Sequence, residues 1–190
     1  MKKTGVTIDD QHVYHTDDGR VVLGVTSIIR AAGLMGDTSH YTEYARERGK
    51  AVHAAVEMHE QDDLDPASLH PDIVPYLDAW KLCKHDTGFE SETQEQIIFN
   101  PTYQYAGTLD LAGFIGNDTA VIDLKTGVYA HWWALQTAAY NAVAKCKKRF
   151  SLELHNDGKY KLTEHTDKRD FQRFLACLTI AGIKQSWGIK

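Results

Sequence analysis

The sequence has few cysteines, few prolines and no long apolar run. Of 190 residues, 3 are cysteines and 4 are prolines. Cys83, Cys146 and Cys177 are far apart, odd in number and without the spacing of a metal site, so they indicate free thiols in a reducing cytoplasm. The shortage of cysteine therefore excludes a disulfide-stapled scaffold.

No apolar stretch is long enough to span a membrane. The basic start, Met1-Lys2-Lys3, is not followed by the apolar segment of a signal peptide. We therefore expect a cytoplasmic protein that has no membrane partner. With 43% hydrophobic and 25% charged residues, the chain has the composition of a globular protein, and its length predicts a single domain over residues 1–190.

Basic residues are not in excess, because the formal net charge is −5. This charge argues against a general nucleic-acid coat protein. It does not exclude an enzyme that holds a nucleic acid locally through metal ions and a few basic side chains.

What the sequence does contain is the stretch YAGTLDLAGFIGNDTAVIDLKTG, residues 105–127. Apolar and polar residues alternate through two runs, and the pair Gly116-Asn117 between them predicts a two-residue hairpin loop. Leu109 and Leu111 are expected on one face of the first strand and Asp110 on the other. The register set by this loop pairs Leu109 with Leu124, Leu111 with Ile122, Asp110 with Asp123, and Thr108 with Lys125.

Two aspartates that face each other in this way suggest a functional site. Directly opposed side chains lie about 5 Å apart, so the two carboxylates either share a proton or hold a cation such as Mg²⁺. Lys125 follows Asp123 on the same face, one strand repeat along. Two carboxylates and a lysine around a metal form an arrangement that cleaves phosphodiesters. The alternative is an exposed hairpin face with one Asp–Lys ion pair.

A polar stripe marks the helix predicted around residue 50. Arg46, Lys50 and His53 recur at helical spacing, so a metal-ligating imidazole lies near basic side chains that suit phosphate. Spacing alone favours the other interpretation, a solvated helix face.

Three further signals are weaker. Gln136 and Tyr140 share one face of a helix rich in small residues, where the tyrosine equally suits the core. Glu95, which fits better than Glu92, is an additional candidate metal ligand at the head of a strand. The basic residues of the run 145–149 either follow phosphates or complement a helix C-terminus.

The pattern along the chain predicts a mixed α/β fold. We expect a central mixed β-sheet flanked by helices in the order αβββαβ, with an N-terminal hairpin and a C-terminal helix. The predicted helices are residues 26–33, Tyr41–Gln61, Pro71–Gly88, His131–Lys147 and Asp167–Gln185, and the predicted strands include Gln96–Phe99, Phe150–Leu154 and Tyr160–Leu162.

Four short motifs occur in order between Val25 and Tyr140. They are Gly49-x-x-x-His53, Gly107-x-x-Asp110, Asp123-x-Lys125-Thr126 and Gln136-x-x-x-Tyr140. Together they resemble the PD-(D/E)XK nuclease superfamily, which has a restriction-endonuclease-like core. Within it they resemble the branch of the RecB nuclease domain and its phage and CRISPR-associated exonuclease relatives.

The resemblance implies a role for each matching residue. A Mg²⁺ or Mn²⁺ ion would be bound by Asp110, Asp123, His53 and the backbone carbonyl of Leu124. Lys125 would position the attacking water, with Asp110 and Asp123 as its catalytic partners. Gln136 and Tyr140 would orient the site or contact the DNA backbone. Arg46 and Lys50 lie outside the motif residues, and they are expected to contact DNA phosphates because of their charge and their place on the stripe with His53. The iron–sulfur cluster of some relatives needs four cysteines, so none is expected here.

The expected function is that of a Mg²⁺- or Mn²⁺-dependent deoxyribonuclease, most simply an exonuclease acting at the ends of linear DNA. Such an enzyme would serve DNA recombination, repair or phage DNA processing in a bacterial or phage-infected cell, with a recombination protein as a further partner. Two alternatives stay open, a non-catalytic nucleic-acid-binding module with the same fold and a structure-specific endonuclease.

Overall fold

The computed structural model describes residues 5–36 and 42–189, and within these ranges it has five α-helices and eight strands. The helices are α1 (Val25–Ala31), α2 (Glu43–Glu60), α3 (Val74–Thr87), α4 (Trp133–Ala144) and α5 (Asp170–Trp187), and a 3₁₀ turn covers Pro66–Ser68. The strands are β1 (Val6–Ile8), β2 (Tyr14–Thr16), β3 (Val21–Gly24), β4 (Phe89–Asn100), β5 (Tyr105–Ile115), β6 (Asp118–Lys125), β7 (Lys148–Leu154) and β8 (Tyr160–Glu164). Among these helices, none is both long and apolar enough to cross a membrane.

The strands form one mixed sheet in the order β1-β2-β3-β5-β6-β7-β8, and β4 pairs with β5 beside this path. The pairs β3–β5 and β6–β7 are parallel and the others are antiparallel. The predicted fold class is confirmed, including the order αβββαβ, the N-terminal hairpin β2–β3 and the C-terminal helix. The additional strand β1 was not predicted.

Strand β5 is unusual because two strands share one of its edges. Strand β4 pairs with it along its whole length, from Tyr105 to Ile115. On the remaining edge, β3 pairs only with residues 105–106 and β6 only with residues 111–115. Residues 107–110 therefore face a gap in that edge, which lies in the middle of the sheet.

The sheet separates two apolar clusters. One lies under α2 and α3, and the other lies under α1, α4 and α5. Fully burying a large apolar side chain contributes roughly 1.5–3 kcal/mol, so the two clusters fix how the helices sit on the sheet. Their largest buried members are Trp80, Phe89, Ile122 and Leu152 in the first cluster, and Ile28, Tyr105, Leu109 and Phe174 in the second.

The alternation predicted for β5 does not extend through Asp110. Leu109 packs under α1, α4 and α5, whereas Leu111 packs under α2 and α3. Glu95, which lies in β4 between the partners of Leu109 and Leu111, has a φ angle of +44°, a conformation that non-glycine residues rarely adopt. The placement of both leucines on one face was therefore wrong, because the strand pair is distorted at this point.

Helix starts differ from the prediction by up to three residues, as in α5, which begins at Asp170 rather than at Asp167. Helix α3 begins at Val74 rather than at Pro71, because residues 70–73 form a turn in which the Ile73 amide donates to the His70 carbonyl. Pro75 takes the favoured first-turn position instead. The predicted start of α2 at Tyr41 lies outside the described residues, which enter this helix through the N-cap Thr42.

The buried Arg149 links β7 to the ends of α4 and α5. Its guanidinium donates to the Asp170 carboxylate at 2.7 Å, to the Ala134 carbonyl at 2.7 Å and to the Asp167 carbonyl at 2.9 Å. Lys147 and Lys148 pair with Asp118 of the β5–β6 hairpin. Of the basic run 145–149, therefore, Arg149 is a structural tie and does not follow phosphates.

Gly113 allows a test of how tightly β4 and β5 pack. A Cβ atom on Gly113 would lie 1.9 Å from the Glu90 carbonyl oxygen, so Gly113→Ala forces the two backbones apart. We expect it to lower the free energy of unfolding by about 1–3 kcal/mol or more, measured by urea denaturation. As a control, Gly182→Ala in α5 meets no neighbouring atom and should be neutral or stabilising. Equal stability of the two variants would contradict the packing described for Gly113.

Candidate active site

Asp110 lies at the gap in the edge of β5, where β6 leaves the strand. Paired residues follow the predicted register from Leu111–Ile122 to the two-residue loop, and the ladder ends at that pair. Beyond it, β6 pairs only with β7, and the Leu124 amide donates to Asp110 Oδ2 at 2.6 Å. The three pairs predicted beyond Leu111–Ile122, including Asp110 with Asp123, were wrong as ladder partners because a side chain takes the place of the backbone.

Asp123 is the most completely buried carboxylate of the site, with 0% of its surface exposed. Lys125 Nζ lies 2.5 Å from its Oδ2 atom, but without hydrogen-bond geometry; within the described part of the chain, neither oxygen has a hydrogen-bond partner. Burial raises the pKa of Asp123 to about 6, against the charge of Lys125 and with help from Asp110. The fold thus keeps a poorly satisfied carboxylate in its interior.

His53 and Glu95 complete the cluster. Helix α2 places His53 Nδ1 3.4 Å from Glu95 Oε1 and 3.6 Å from Asp110 Oδ1. Burial lowers the pKa of His53, but the carboxylates of Asp110 and Glu95 outweigh it and raise that pKa to about 9. One ligand atom from each of the three residues lies within 4.8 Å of the others. The structure thus places Glu95, for which the sequence signal was weak, next to His53 and Asp110.

These side chains fit a divalent cation. Carboxylate oxygens with one imidazole suit Mg²⁺ and, more so, Mn²⁺. The buried oxygens of Asp123 without hydrogen-bond partners are acceptors that such an ion would satisfy. Leu124, the fourth ligand implied by the resemblance, lines the same cavity.

A chain of hydrogen bonds positions Lys125. Its Nζ atom donates to Gln136 Oε1 at 3.0 Å, and Gln136 Nε2 donates to the Tyr140 hydroxyl at 2.9 Å. Tyr140 packs against Gly107, where a Cβ would lie 2.7 Å from the ring. Three of the four sequence motifs therefore meet here: Gly107 admits Tyr140, Tyr140 holds Gln136, and Gln136 orients Lys125. Tyr140 is also a buried core aromatic, as the alternative interpretation had it.

Asp110 and Asp123 line a cavity of about 770 Å³. Arg46 lines it, but Lys50 is largely exposed, pairs with Glu47 at 2.8 Å and is not among the lining residues. Sequence reasoning missed Arg48, which also lines the cavity, lies beside the rings of Tyr44 and Tyr76, and donates to the Thr126 carbonyl at 3.3 Å. Arg48 was not predicted because it does not share the helical spacing of Arg46, Lys50 and His53.

Part of the cavity wall is aromatic. Tyr129, Trp132 and Trp133 line it directly after the strand that carries Asp123 and Lys125. Sequence reasoning missed these residues too, although the doublet Trp132-Trp133 is conspicuous in a chain with 4 tryptophans.

Comparison with known proteins gives a fold but no family. No protein-family model matches the chain, and no curated protein matches its sequence. A solved structure from Eubacterium rectale, provisionally described as an exonuclease, superposes with a TM-score of 0.56 at 12% identity, covering 87% of this chain and 82% of that one. At this identity the likeness shows a shared fold.

Two further structures overlap less well. A phage-related exonuclease from Haemophilus somnus gives a TM-score of 0.48 at 10% identity, covering 87% of this chain and 93% of that one. An alkaline exonuclease from Laribacter hongkongensis gives 0.43 at 14% identity, with 88% and 93% coverage. These two scores are too low to carry an argument, so the function has to be argued from the site.

The burial of Asp123 predicts a gain in stability when its charge is removed. In metal-free buffer at pH 8, Asp123→Asn should raise the free energy of unfolding by on the order of 1–3 kcal/mol, because a neutral amide avoids the cost of burying the carboxylate. Urea denaturation in the presence of a chelator measures the change. Asp118→Asn is the matched control: it removes an aspartate paired with two surface lysines and should give no gain. A loss of stability in Asp123→Asn would show that the fold needs this charge.

Proposed function

We propose that this chain is a Mg²⁺- or Mn²⁺-dependent deoxyribonuclease of the PD-(D/E)XK superfamily, in the RecB-like branch. It would form a single domain and act as an exonuclease in DNA recombination, repair or phage DNA processing, in the cytoplasm of a bacterial or phage-infected cell. The observation that carries the proposal is the convergence of His53, Asp110 and Asp123 on one cavity beside Lys125. Glu95 lies against His53 and Asp110 in the same cluster. A binding module would have no use for clustered buried carboxylates, one of which, Asp123, lacks a hydrogen-bond partner among the described residues.

The chemistry follows from what each side chain offers. A divalent cation, when bound, supplies Lewis-acid polarisation of the scissile phosphate. Asp110, Asp123 and His53 would hold it, with Glu95 and the Leu124 carbonyl as further oxygen ligands. Lys125, kept in place by Gln136, would orient the attacking water and offset the charge that develops on the phosphate.

The remaining charges favour a small contact with the substrate. The net charge is −5, and the cations that line the cavity together with Lys125 include Arg46 and Arg48. Few phosphates would be held at once, which suits a strand entering from an end and gives a moderate dependence on salt. Linear DNA with accessible ends is therefore the proposed substrate, and a recombination protein is a reasonable supplier of such ends.

The nuclease proposal is tested by cleavage of DNA. We expect Asp110→Asn, Asp123→Asn and Lys125→Ala each to lower the rate on linear DNA by at least about 100-fold, because each removes an electrostatic contribution to the transition state. The assay measures the release of acid-soluble nucleotide with Mg²⁺ or Mn²⁺, on linear and on covalently closed circular DNA. Linear DNA should disappear while the circles persist.

Lys159→Ala is the control for Lys125→Ala, since Lys159 is exposed on the β7–β8 turn and pairs only with Asp157 among the described residues. Its rate should match that of the wild type. Wild-type activity in folded Asp123→Asn would refute the assigned site. Equal loss of circles and linear DNA would favour the endonuclease alternative, and no cleavage at all would favour the binding module.

Metal binding gives a second test that does not depend on cleavage. A cation that binds only the folded chain should stabilise it by about 2.7 kcal/mol at a concentration 100 times its Kd. We expect Mn²⁺ or Mg²⁺ to raise the melting temperature of the wild type accordingly. The rise should be absent in Asp110→Asn and smaller in His53→Ala. Asp118→Asn, outside the cluster, should respond like the wild type. If His53→Ala responds as fully as the wild type, the imidazole is not a ligand.

A further inference from the structure

The aromatic wall of the cavity has no role in the chemistry described above. It belongs to the segment that leads from β6 into α4 and carries the sequence Val128-Tyr129-Ala130-His131-Trp132-Trp133. Trp133 is buried, Trp132 is partly buried, and Tyr129 is 36% exposed. Two large amphipathic rings are therefore partly open to solvent on the same cavity as the carboxylates.

The buried Trp133 fixes the other two rings. Tyr129 meets it edge to face with ring centres 5.3 Å apart, and Trp132 meets it in the same manner at 6.3 Å. Edge-to-face contacts of this kind are favourable and directional. The orientation of the two outer rings is thus set by packing before any ligand arrives.

Each outer ring is accompanied by a lysine. Lys125 Nζ lies 5.5 Å from the centre of the Trp132 ring, and Lys161 Nζ lies 5.3 Å from the centre of the Tyr129 ring. A ring beside an ammonium suits a nucleotide, because the base can stack on the ring while the phosphate meets the charge. In the proposed function Lys125 acts at the scissile phosphate, so Trp132 would lie where the neighbouring base sits.

The dimensions favour an unpaired base. A cavity of about 770 Å³ falls within the range of roughly 300–1,000 Å³ that is usual for small-molecule sites. Bases within a duplex are paired and stacked on one another, so their faces are not available to a protein ring. Bases of a single strand offer their faces freely, and stacking on aromatic side chains is the common way to hold them.

We propose that Trp132 and Tyr129 form a stacking surface for the unpaired bases next to the scissile phosphate, so that the substrate is a single-stranded DNA end. This inference rests on the proposed nuclease function and adds to it the strand state of the substrate. The alternative is that the three rings only hold the segment before α4 in place.

A chemical double-mutant cycle separates these explanations. One change is Trp132→Ala, and the other is a single-stranded oligonucleotide with abasic sites at its terminal positions. Each alone should lower kcat/KM by roughly 5- to 150-fold, the usual effect of losing one stacked base. Combined, they should cost little more than either one, because both remove the same contact. Tyr129→Ala should show the same non-additivity.

Trp187→Ala is the matched control, since Trp187 lies in α5 with 72% of its surface exposed, outside the residues that line the cavity. It should leave kcat/KM and its response to abasic sites unchanged. Trp132→Phe, which keeps a ring, should retain most of the activity and the same melting temperature. Fully multiplicative losses in the cycle, or equal losses on blunt duplex and single strand, would overturn the proposal.

A binding assay tests the stacking surface independently of DNA cleavage. Fluorescence anisotropy of a labelled single-stranded oligonucleotide, measured with a chelator to prevent cleavage, compares the intact with the abasic strand. The wild type should prefer the intact strand by roughly 5- to 150-fold, and Trp132→Ala should show a clearly smaller preference because only Tyr129 is left to stack. If the wild type cleaves no DNA but keeps this preference, the stacking surface stands and the nuclease function falls. Equal binding of the intact and the abasic strand by the wild type would refute the proposed stacking surface.

Discussion

The gap in one edge of β5 is the constraint on which the rest of the structure depends. Two strands share that edge, and neither reaches residues 107–110. A carboxylate at position 110 bonds the Leu124 amide that the ladder leaves without a β5 partner, so the same side chain stabilises the backbone and shapes the site. Helix α2 on one face places the His53 imidazole beside Asp110, and helix α4 on the other places the Gln136 amide against Lys125. In this way a discontinuity in hydrogen bonding becomes a place where polar chemistry can be buried.

The site sets like charges against one another at the expense of stability. Glu95, Asp110 and Asp123 come from three adjacent strands, and burial raises the pKa values of both aspartates. The two cationic partners, His53 and Lys125, balance them only in part. Such an arrangement is hard to explain as a structural feature, because an apolar set of similar volume would pack as well. It is readily explained if the fold is adapted to a cation and a phosphate.

Much of this could be predicted from the sequence, and the limits have physical causes. The register of the β5–β6 hairpin followed from the pair Gly116-Asn117, because a two-residue loop leaves no freedom. The end of the ladder could not be predicted, since it depends on where β3, which is distant in sequence, joins the same edge of β5. Lys50 and Arg48 lie two residues apart, and Arg48, which lies beside the rings of Tyr44 and Tyr76, is the one that lines the cavity. Local sequence patterns predict how residues close in sequence are arranged. Which side chains of distant segments come together depends on tertiary packing, which those patterns do not contain.

Glu95 combines two demands that few residues can meet together. Its φ angle of +44° favours glycine, asparagine or aspartate, while its place beside His53 calls for a carboxylate. Glycine would relieve the backbone and lose the charge, and most other residues would keep the strain and lose the charge as well. Among single replacements, aspartate alone answers both demands, with a side chain one carbon shorter. Few substitutions of Glu95 would therefore keep both the backbone conformation and the negative charge. A replacement by aspartate would also shorten the side chain and move the carboxylate away from the His53 imidazole.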